Sequence, residues 1–329
     1  VKVSVICTVL NEGQAIKKLL DSLAQQTRRP DEIIIVDGGS SDDTLEIVEQ
    51  VAQASQWPIR VLVEPGANIS RGRNMAIAAA AGPIIASTDA GVRLDPHWLA
   101  ELLKPFEVEL QTRVVSGFFV ADPQTTFEVA MGATVLPVLA DINPATFLPS
   151  SRSIAFLKSS WAEAGCYPEW LDYCEDLIFD FRLGDVAGPF AFAPKAIAYF
   201  RPRSSLQAFF KQYYQYARGD GKADLWRKRH AIRYFTYLVA LPGLIILTIF
   251  SSAWWLGPGL VLGGLGMFAT PYRRLFLGWG KLSALEKVQA IGWVPLIRIT
   301  GDIAKMVGYP VGWKWRLERL ASRPELRWR

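Results

Sequence analysis

Hydrophobic positions in the first hundred residues fall into short continuous runs, each closed by a polar cluster. Residues 3–9, 32–36, 59–63 and 83–87 are mostly apolar and rich in Val and Ile, and read as strands, the first of them buried. Between them the apolar residues recur at helical spacing, predicting helices over 12–26, 42–54 and 69–81. The Ser40-Ser41-Asp42-Asp43 cluster suits capping of the second helix. Strands alternating with helices in this way imply βαβ units and an α/β fold with a mostly parallel central sheet.

The middle of the chain is less regular. Strands are predicted over 114–120, 153–157 and, as one or two pieces, 190–199. Helices are predicted over 127–139 (broken near Pro137), over 174–183, and over 204–218 as an aromatic-rich helix ending at Gly219.

From Tyr234 to Tyr272 no charged residue occurs. About 20 apolar residues are needed to cross a bilayer core, so this run has room for two short spans with a turn at Gly257-Pro258-Gly259. Arg227, Lys228, Arg229 and Arg233 precede the run and Arg273, Arg274 and Lys281 follow it, so both ends of the hairpin are expected on the cytoplasmic side. Residues 284–299 keep Glu286, Lys287 and Arg298 among apolar neighbours and read as an amphipathic helix lying in the interface, as does the Trp- and Arg-rich tail. The division expected is a catalytic domain over 1–221 and a membrane-associated region over 222–329, with the hairpin at about 234–272.

Composition narrows the chemistry. Half of the 329 residues are hydrophobic and the formal charge is +5. The basic residues gather around the apolar run, where anionic lipid and a pyrophosphate-bearing ligand account for them better than nucleic acid does. Three cysteines and two histidines supply neither a disulfide framework nor a zinc-ligand set. No basic-then-apolar leader opens the chain, so the catalytic part is expected to stay on the cytoplasmic side of the cell membrane.

In an open α/β sheet ligands sit beyond the carboxyl ends of the strands. The polar groups closing the strands are Thr8 to Glu12, Asp37 to Asp42, and Thr88-Asp89-Ala90-Gly91. Each carries a carboxylate or amide suited to a base, a ribose or a metal. Asn11-Glu12-Gly13 lacks the glycine-rich, basic character of a nucleotidyltransferase phosphate loop.

Taken in order, six segments resemble glycosyltransferase family 2, whose catalytic domain has the GT-A fold. They are Val-Ser-Val-Ile-Cys-Thr-Val-Leu-Asn-Glu at 3–12, Val-Asp-Gly-Gly-Ser-Ser-Asp-Asp-Thr at 36–44, Arg-Gly-Arg-Asn at 71–74, Ser-Thr-Asp-Ala-Gly at 87–91, Glu175-Asp176, and Gln-Tyr-Ala-Arg at 215–218. The resemblance covers residues 1–221. It implies an inverting transfer of sugar from a nucleoside-diphosphate sugar to a hydroxyl of a membrane-associated acceptor, such as a lipid-linked saccharide in cell-envelope polysaccharide synthesis. A polyprenyl-phosphate glycosyltransferase and a non-catalytic membrane scaffold that keeps the fold are the alternatives.

The same resemblance assigns roles. Thr8, Asn11, Glu12 and Asp37 would cradle the nucleotide, with Ser40 and Asp42 shaping the loop. Arg73 and Asn74 would face the donor, beside a surface Arg71. Asp89 would hold a divalent ion, Mg or Mn, against the diphosphate; Gly91 replaces the family's second Asp, and no histidine follows in Ala-Tyr-Phe-Arg-Pro-Arg at 198–203. Arg201 or Arg203 would then take over part of the ion's role. Asp176 would be the catalytic base, with Glu175, Arg152 and Gln215 on the acceptor side and Arg218 at the diphosphate. Gly219 stands where the family has Trp, which argues against a long processive channel.

Overall fold

The computed structural model describes residues 1–55, 57–250, 254 and 256–328. The chain divides into two compact units, Val1–Asp122 with Val138–Arg201, and Pro123–Pro137 with Pro202–Arg329. The boundary expected at residue 221 lies inside a helix.

The first unit is an α/β domain. Its strands are β1 (Val3–Val9), β2 (Glu32–Asp37), β3 (Ile59–Val63), β4 (Ile84–Ser87), β5 (Val92–Leu94), β6 (Val114–Ala121), β7 (Ile154–Leu157) and β8 (Ala191–Phe200). Its helices are α1 (Ala15–Ala24), α2 (Thr44–Ala54), α3 (Ile69–Ala79), α4 (Trp98–Val108), α6 (Lys158–Glu163) and α7 (Glu175–Ala187). The strands form one sheet in the order β3-β2-β1-β4-β7-β6-β8-β5. The first four are mutually parallel, β7 is antiparallel to β4 and β6, and β8 runs parallel to β6. Both faces are covered, because Val3, Val5 and Cys7 of β1 enter one apolar cluster and Ile6 enters the other.

Register positions the functional rim. Thr8 lies opposite Val36 and Val9 opposite Asp37, while Ile6 lies opposite Ser87. The carboxyl ends of β1, β2 and β4 therefore finish side by side. The start of α3 presses on them: a Cβ on Gly72 would stand 2.7 Å from Thr8 Cγ2, closer than real Cβ contacts come, so only glycine fits.

In the second unit, α5 (Thr126–Val135) joins α8 (Leu206–Ala223), α9 (Arg227–Phe235), α10 (Leu241–Phe250), α11 (Leu256–Leu277) and α12 (Ala284–Arg319). Five residues, Thr236–Ala240, make a wider turn between α9 and α10. The continuous helical stretch Arg227–Phe250 is, among the described residues, the one helix long and apolar enough to cross a membrane. Gly257, Pro258 and Gly259 do not form the expected turn; they are the first turn of α11, where proline's missing N–H costs nothing. The chain before them, at 251–253 and 255, lies outside the described residues.

Two further expectations are corrected here. The aromatic helix does not stop at Gly219 but continues to Ala223, and the predicted interfacial helix at 284–299 is the beginning of one 36-residue helix with a buried face. Small residues explain both. A Cβ on Gly308 would meet Tyr214 O, and one on Gly312 would meet Arg218 O, so α8 and α12 touch backbone to backbone through glycines. Phe209 is fully buried beside Gly301, in α12's groove rather than at a lipid surface. Gly312→Val should therefore overpack this contact and destabilise the second unit by about 1–3 kcal/mol, seen as a lower thermal midpoint in detergent, whereas Gly292→Ala, with open space around it, should not.

Candidate active site

The rim carries a chain of charges organised by one arginine. Arg73, in the second turn of α3, is 3 % exposed at its side chain. Its Nη2 donates to Asp89 Oδ1 at 2.9 Å, and its Nη1 donates to Glu175 Oε1 at 2.6 Å. Asp89 sits just past the end of β4 and Glu175 opens α7, so one guanidinium ties the sheet rim to the start of a helix 102 residues away in the chain. Burial opposes the charge on Arg73, but the Asp89 and Glu175 carboxylates outweigh it and hold the guanidinium protonated. Tyr167 places its ring under the same group, 5.3 Å from the guanidinium carbon. Arg152 closes the chain with its Nε 3.2 Å from Asp89 Oδ2 and its own guanidinium 4.7 Å over Phe200.

Three carboxylates lie in the first two turns of α7, at Glu175, Asp176 and Asp180. Burial, then the neighbouring Asp176 charge, pushes Glu175 up to about 7, against the pull of Arg73. Burial also raises Asp176, with Arg73 and Arg152 opposing it. Glu175 and Asp176 therefore titrate as a pair sharing protons. Asp176 is the less buried of the two, and its Oδ1 accepts from Leu177 N at 2.9 Å. It has the other oxygen for chemistry. Cys174, immediately before this helix, adopts a left-handed backbone with φ 63° and gives no side-chain cap. Such strain costs about 1–3 kcal/mol and collects at functional sites.

Asp180, one turn further along, is a residue that sequence reasoning missed. It is 2 % exposed, its Oδ2 has no hydrogen-bond partner among the described residues, and burial followed by the Asp176 charge raises it well above the ordinary carboxylate range. Its spacing of four from Asp176 was the available signal, since such residues share a helix face. A carboxyl raised on folding stabilises the protein below its unfolded value and loses that contribution as pH rises toward the folded one. Asp180→Asn should therefore gain thermal stability over the parent, and the gain should widen from about pH 4 to pH 8. An equal loss at both ends would contradict this.

The residues expected on the nucleotide side divide into two groups. Asp37 is buried; its Oδ1 accepts from the Gly39 and Ser40 amides at 2.6 and 2.7 Å, and its Oδ2 has no partner among the described residues. Thr8 borders the same rim, and Glu12 Oε2 lies 3.8 Å from where a Cβ on Gly91 would be. Asn11, by contrast, is exposed and left-handed at φ 54°; its Oδ1 accepts from Ser41 N and its N–H donates to Ser40 Oγ, tying two loops together. Asn74 gives both its donors and its acceptor to the 161–169 segment: Nδ2 donates to Tyr167 O and Glu169 Oε1, and Oδ1 accepts from Trp161 Nε1 and Tyr167 N. Its amide holds a loop and has no hydrogen left for a donor sugar. Asp42 accepts from Thr44 and shapes the turn before α2, and Arg71 pairs with Glu64 at the surface. Gln215 and Arg218 lie on α8, in the second unit.

Asp89 is the carboxylate that could carry a metal ion here. Its side chain is a quarter exposed, and the longer of its two guanidinium contacts, to Arg152, faces an oxygen that an ion could take. Gly91 supplies no second carboxylate, and among the described residues no three His, Cys, Asp or Glu side chains gather at one point. An ion fits with one protein ligand, the rest of its shell coming from phosphate and water.

Comparison with known proteins gives this geometry a context. Residues 4–147 match the family model described as Glycosyl transferase family 2. The succinoglycan biosynthesis protein ExoA of Rhizobium meliloti is 25 % identical over 66 % of this chain and 68 % of its own length. The lipopolysaccharide core biosynthesis glycosyltransferase LpsC of the same organism is 37 % identical over 30 % of this chain and 34 % of its own. Four of the curated relatives are matched over only 29–34 % of their length. Among solved structures, the mannosyltransferase PcManGT from Pyrobaculum calidifontis, in complex with GDP-Man and Mn2+, superposes over 96 % of this chain and 87 % of its own with a TM-score of 0.56 at 17 % identity. That likeness shows a shared GT-A-like fold.

Proposed function

We propose, from the match of residues 4–147 to the glycosyltransferase family 2 model, that the chain is an inverting glycosyltransferase that moves a sugar from a nucleoside-diphosphate sugar to a hydroxyl of a membrane-associated acceptor. The observation that carries the reading is the Arg73 bridge, which joins Asp89 on the donor rim to the Glu175–Asp176 pair.

In this reading Asp37 and Thr8 meet the nucleoside, and Arg152, expected on the acceptor side but 3.2 Å from Asp89 Oδ2, faces the diphosphate instead. Asp89 would hold a Mg or Mn ion, which would supply charge neutralisation at the leaving diphosphate. Asp176 takes the proton from the acceptor hydroxyl as that oxygen attacks the anomeric carbon, and attack opposite the leaving group inverts the configuration. Glu175, bound to Arg73, fixes the start of α7 and so the position of Asp176. The GDP-Man and Mn2+ bound by PcManGT support a nucleotide-sugar donor and a divalent ion, and the names of ExoA and LpsC support an acceptor in envelope polysaccharide or glycolipid synthesis. The apolar helix Arg227–Phe250 supports an enzyme held at the cell membrane, with the first unit on its cytoplasmic side.

The test is donor hydrolysis by detergent-solubilised protein across a panel of nucleotide sugars, with and without Mn2+. One nucleoside diphosphate released well above the others is the expected result. Failure to bind or hydrolyse any of them would leave a scaffold that has kept the fold.

A further inference from the structure

The second unit holds a cluster of charges that the transfer reaction does not use. Asp302 of α12 is buried and accepts from Arg233 Nε at 2.7 Å; Arg298 Nε lies 3.2 Å from its other oxygen, and the Tyr237 hydroxyl donates to that oxygen at 3.2 Å. Lys305 follows on the same face of α12 and has no ion pair within 4 Å among the described residues; its ammonium rests 4.8 Å over the Tyr213 ring. Asp220, the other carboxylate acting on Lys305 among the described residues, is engaged by His230 at 3.1 Å. Cations thus outnumber carboxylates in a partly buried setting, where an uncompensated charge is costly. The strain is visible at Lys305, which burial and then the Arg233 guanidinium bring down to about 8.

The surroundings say where the missing anion comes from. Arg233 and Tyr237 belong to Arg227–Phe250, the stretch apolar enough to cross a membrane. On that helix Ile232, Phe235 and Leu238 are exposed, and on α12 Leu296, Ile303 and Val307 are exposed beside Arg298 and Lys305. Exposed aliphatic side chains flanking a cationic recess match an amphiphile with an apolar tail and a phosphate head.

We propose that Arg233, Arg298 and Lys305 form a binding site for a phosphate group carried by a membrane lipid. The site needs no sugar transfer to operate, so its test is a binding measurement made without donor. Purified full chain in neutral detergent is titrated by calorimetry with dioctanoyl phosphatidylglycerol, farnesyl diphosphate, inorganic pyrophosphate and uncharged dioctanoylglycerol. Binding of one or both phosphate-bearing lipids is expected, with dioctanoylglycerol inert. Preference for phosphatidylglycerol identifies a headgroup, and preference for farnesyl diphosphate identifies a lipid-linked diphosphate. Lys305→Gln and Arg298→Gln should each weaken the preferred lipid by roughly ten-fold or more, the scale of one charge-assisted hydrogen bond. Lys305→Gln should melt no lower than the parent, since it removes an unpaired charge. Affinity unchanged in both variants, or pyrophosphate binding as tightly as either lipid, would overturn the proposal.

Discussion

Arg73→Met should destabilise the first unit by about 3–5 kcal/mol, the cost of removing one partner from a buried ion pair. The guanidinium is almost wholly buried and bridges two carboxylates that no other residue joins. Methionine keeps the apolar stem over Tyr167 while removing the charge, so Glu175 loses its cation and Asp89 keeps only the looser Arg152 contact. Glu175 should then bind its proton more readily, and the variant should recover part of its stability as pH falls. Thermal unfolding at pH 5 and pH 8 checks this, a smaller deficit at pH 5 being the expected sign. Arg73→Lys should sit between, because an ammonium lacks the planar fork that reaches both partners. A variant as stable as the parent at both values would remove Arg73 from the centre of the site.

Asp176→Asn should lower transfer by roughly 10²–10⁴-fold, the usual contribution of a positioned general base, while donor affinity stays near that of the parent. Asparagine keeps the shape and the contact with the Leu177 amide but takes no proton. The parent's pH profile carries the same signature. A base works ionised, and burial raises Asp176, so activity should fall as the solution becomes acid at a higher pH than an exposed carboxylate would give. Its coupling to Glu175 makes the apparent value that of the pair. A fully active Asp176→Asn on a hydroxyl acceptor contradicts the assignment. Activity kept only on a lipid phosphate, which is already ionised and needs no base, would turn the reading toward a polyprenyl-phosphate transferase.

The parallel half of the sheet was legible because β1, β2 and β4 are buried on both faces and write themselves as largely apolar runs, and the edge strand β3 keeps enough Val, Ile and Leu to follow them. The strand β5 and helix α4 were not read. Three residues are too few to show a period, and Pro105 inside α4 carries the opposite signal to the packing of Leu99 and Leu102 that holds it. The same conflict hid the length of α12, which runs through Pro295 and Pro310 because its glycine-lined face is buried. Gly219 reads locally as a stop, yet the partner that keeps α8 helical lies about ninety residues away on α12, where no local window reaches. At the site, residue types at strand ends pointed to Asp37 and Asp89, and the family resemblance to the Glu175–Asp176 pair. They did not reveal that Asn74 is consumed by the 161–169 segment, or that Arg73 joins two carboxylates, because both depend on which loops meet in space.

The path of the chain has a consequence for dissecting the protein. Residues 123–137 leave the α/β unit in mid-sequence to complete the helical one, where Phe127 and Met131 pack with Val294 and Ile297. A fragment cut after Arg201 would thus inherit an apolar insert without its lining, and would be prone to clump. Excising that insert and bridging the gap with a short polar linker is the surgery more apt to yield a soluble catalytic half, a step that truncation from either end cannot replace.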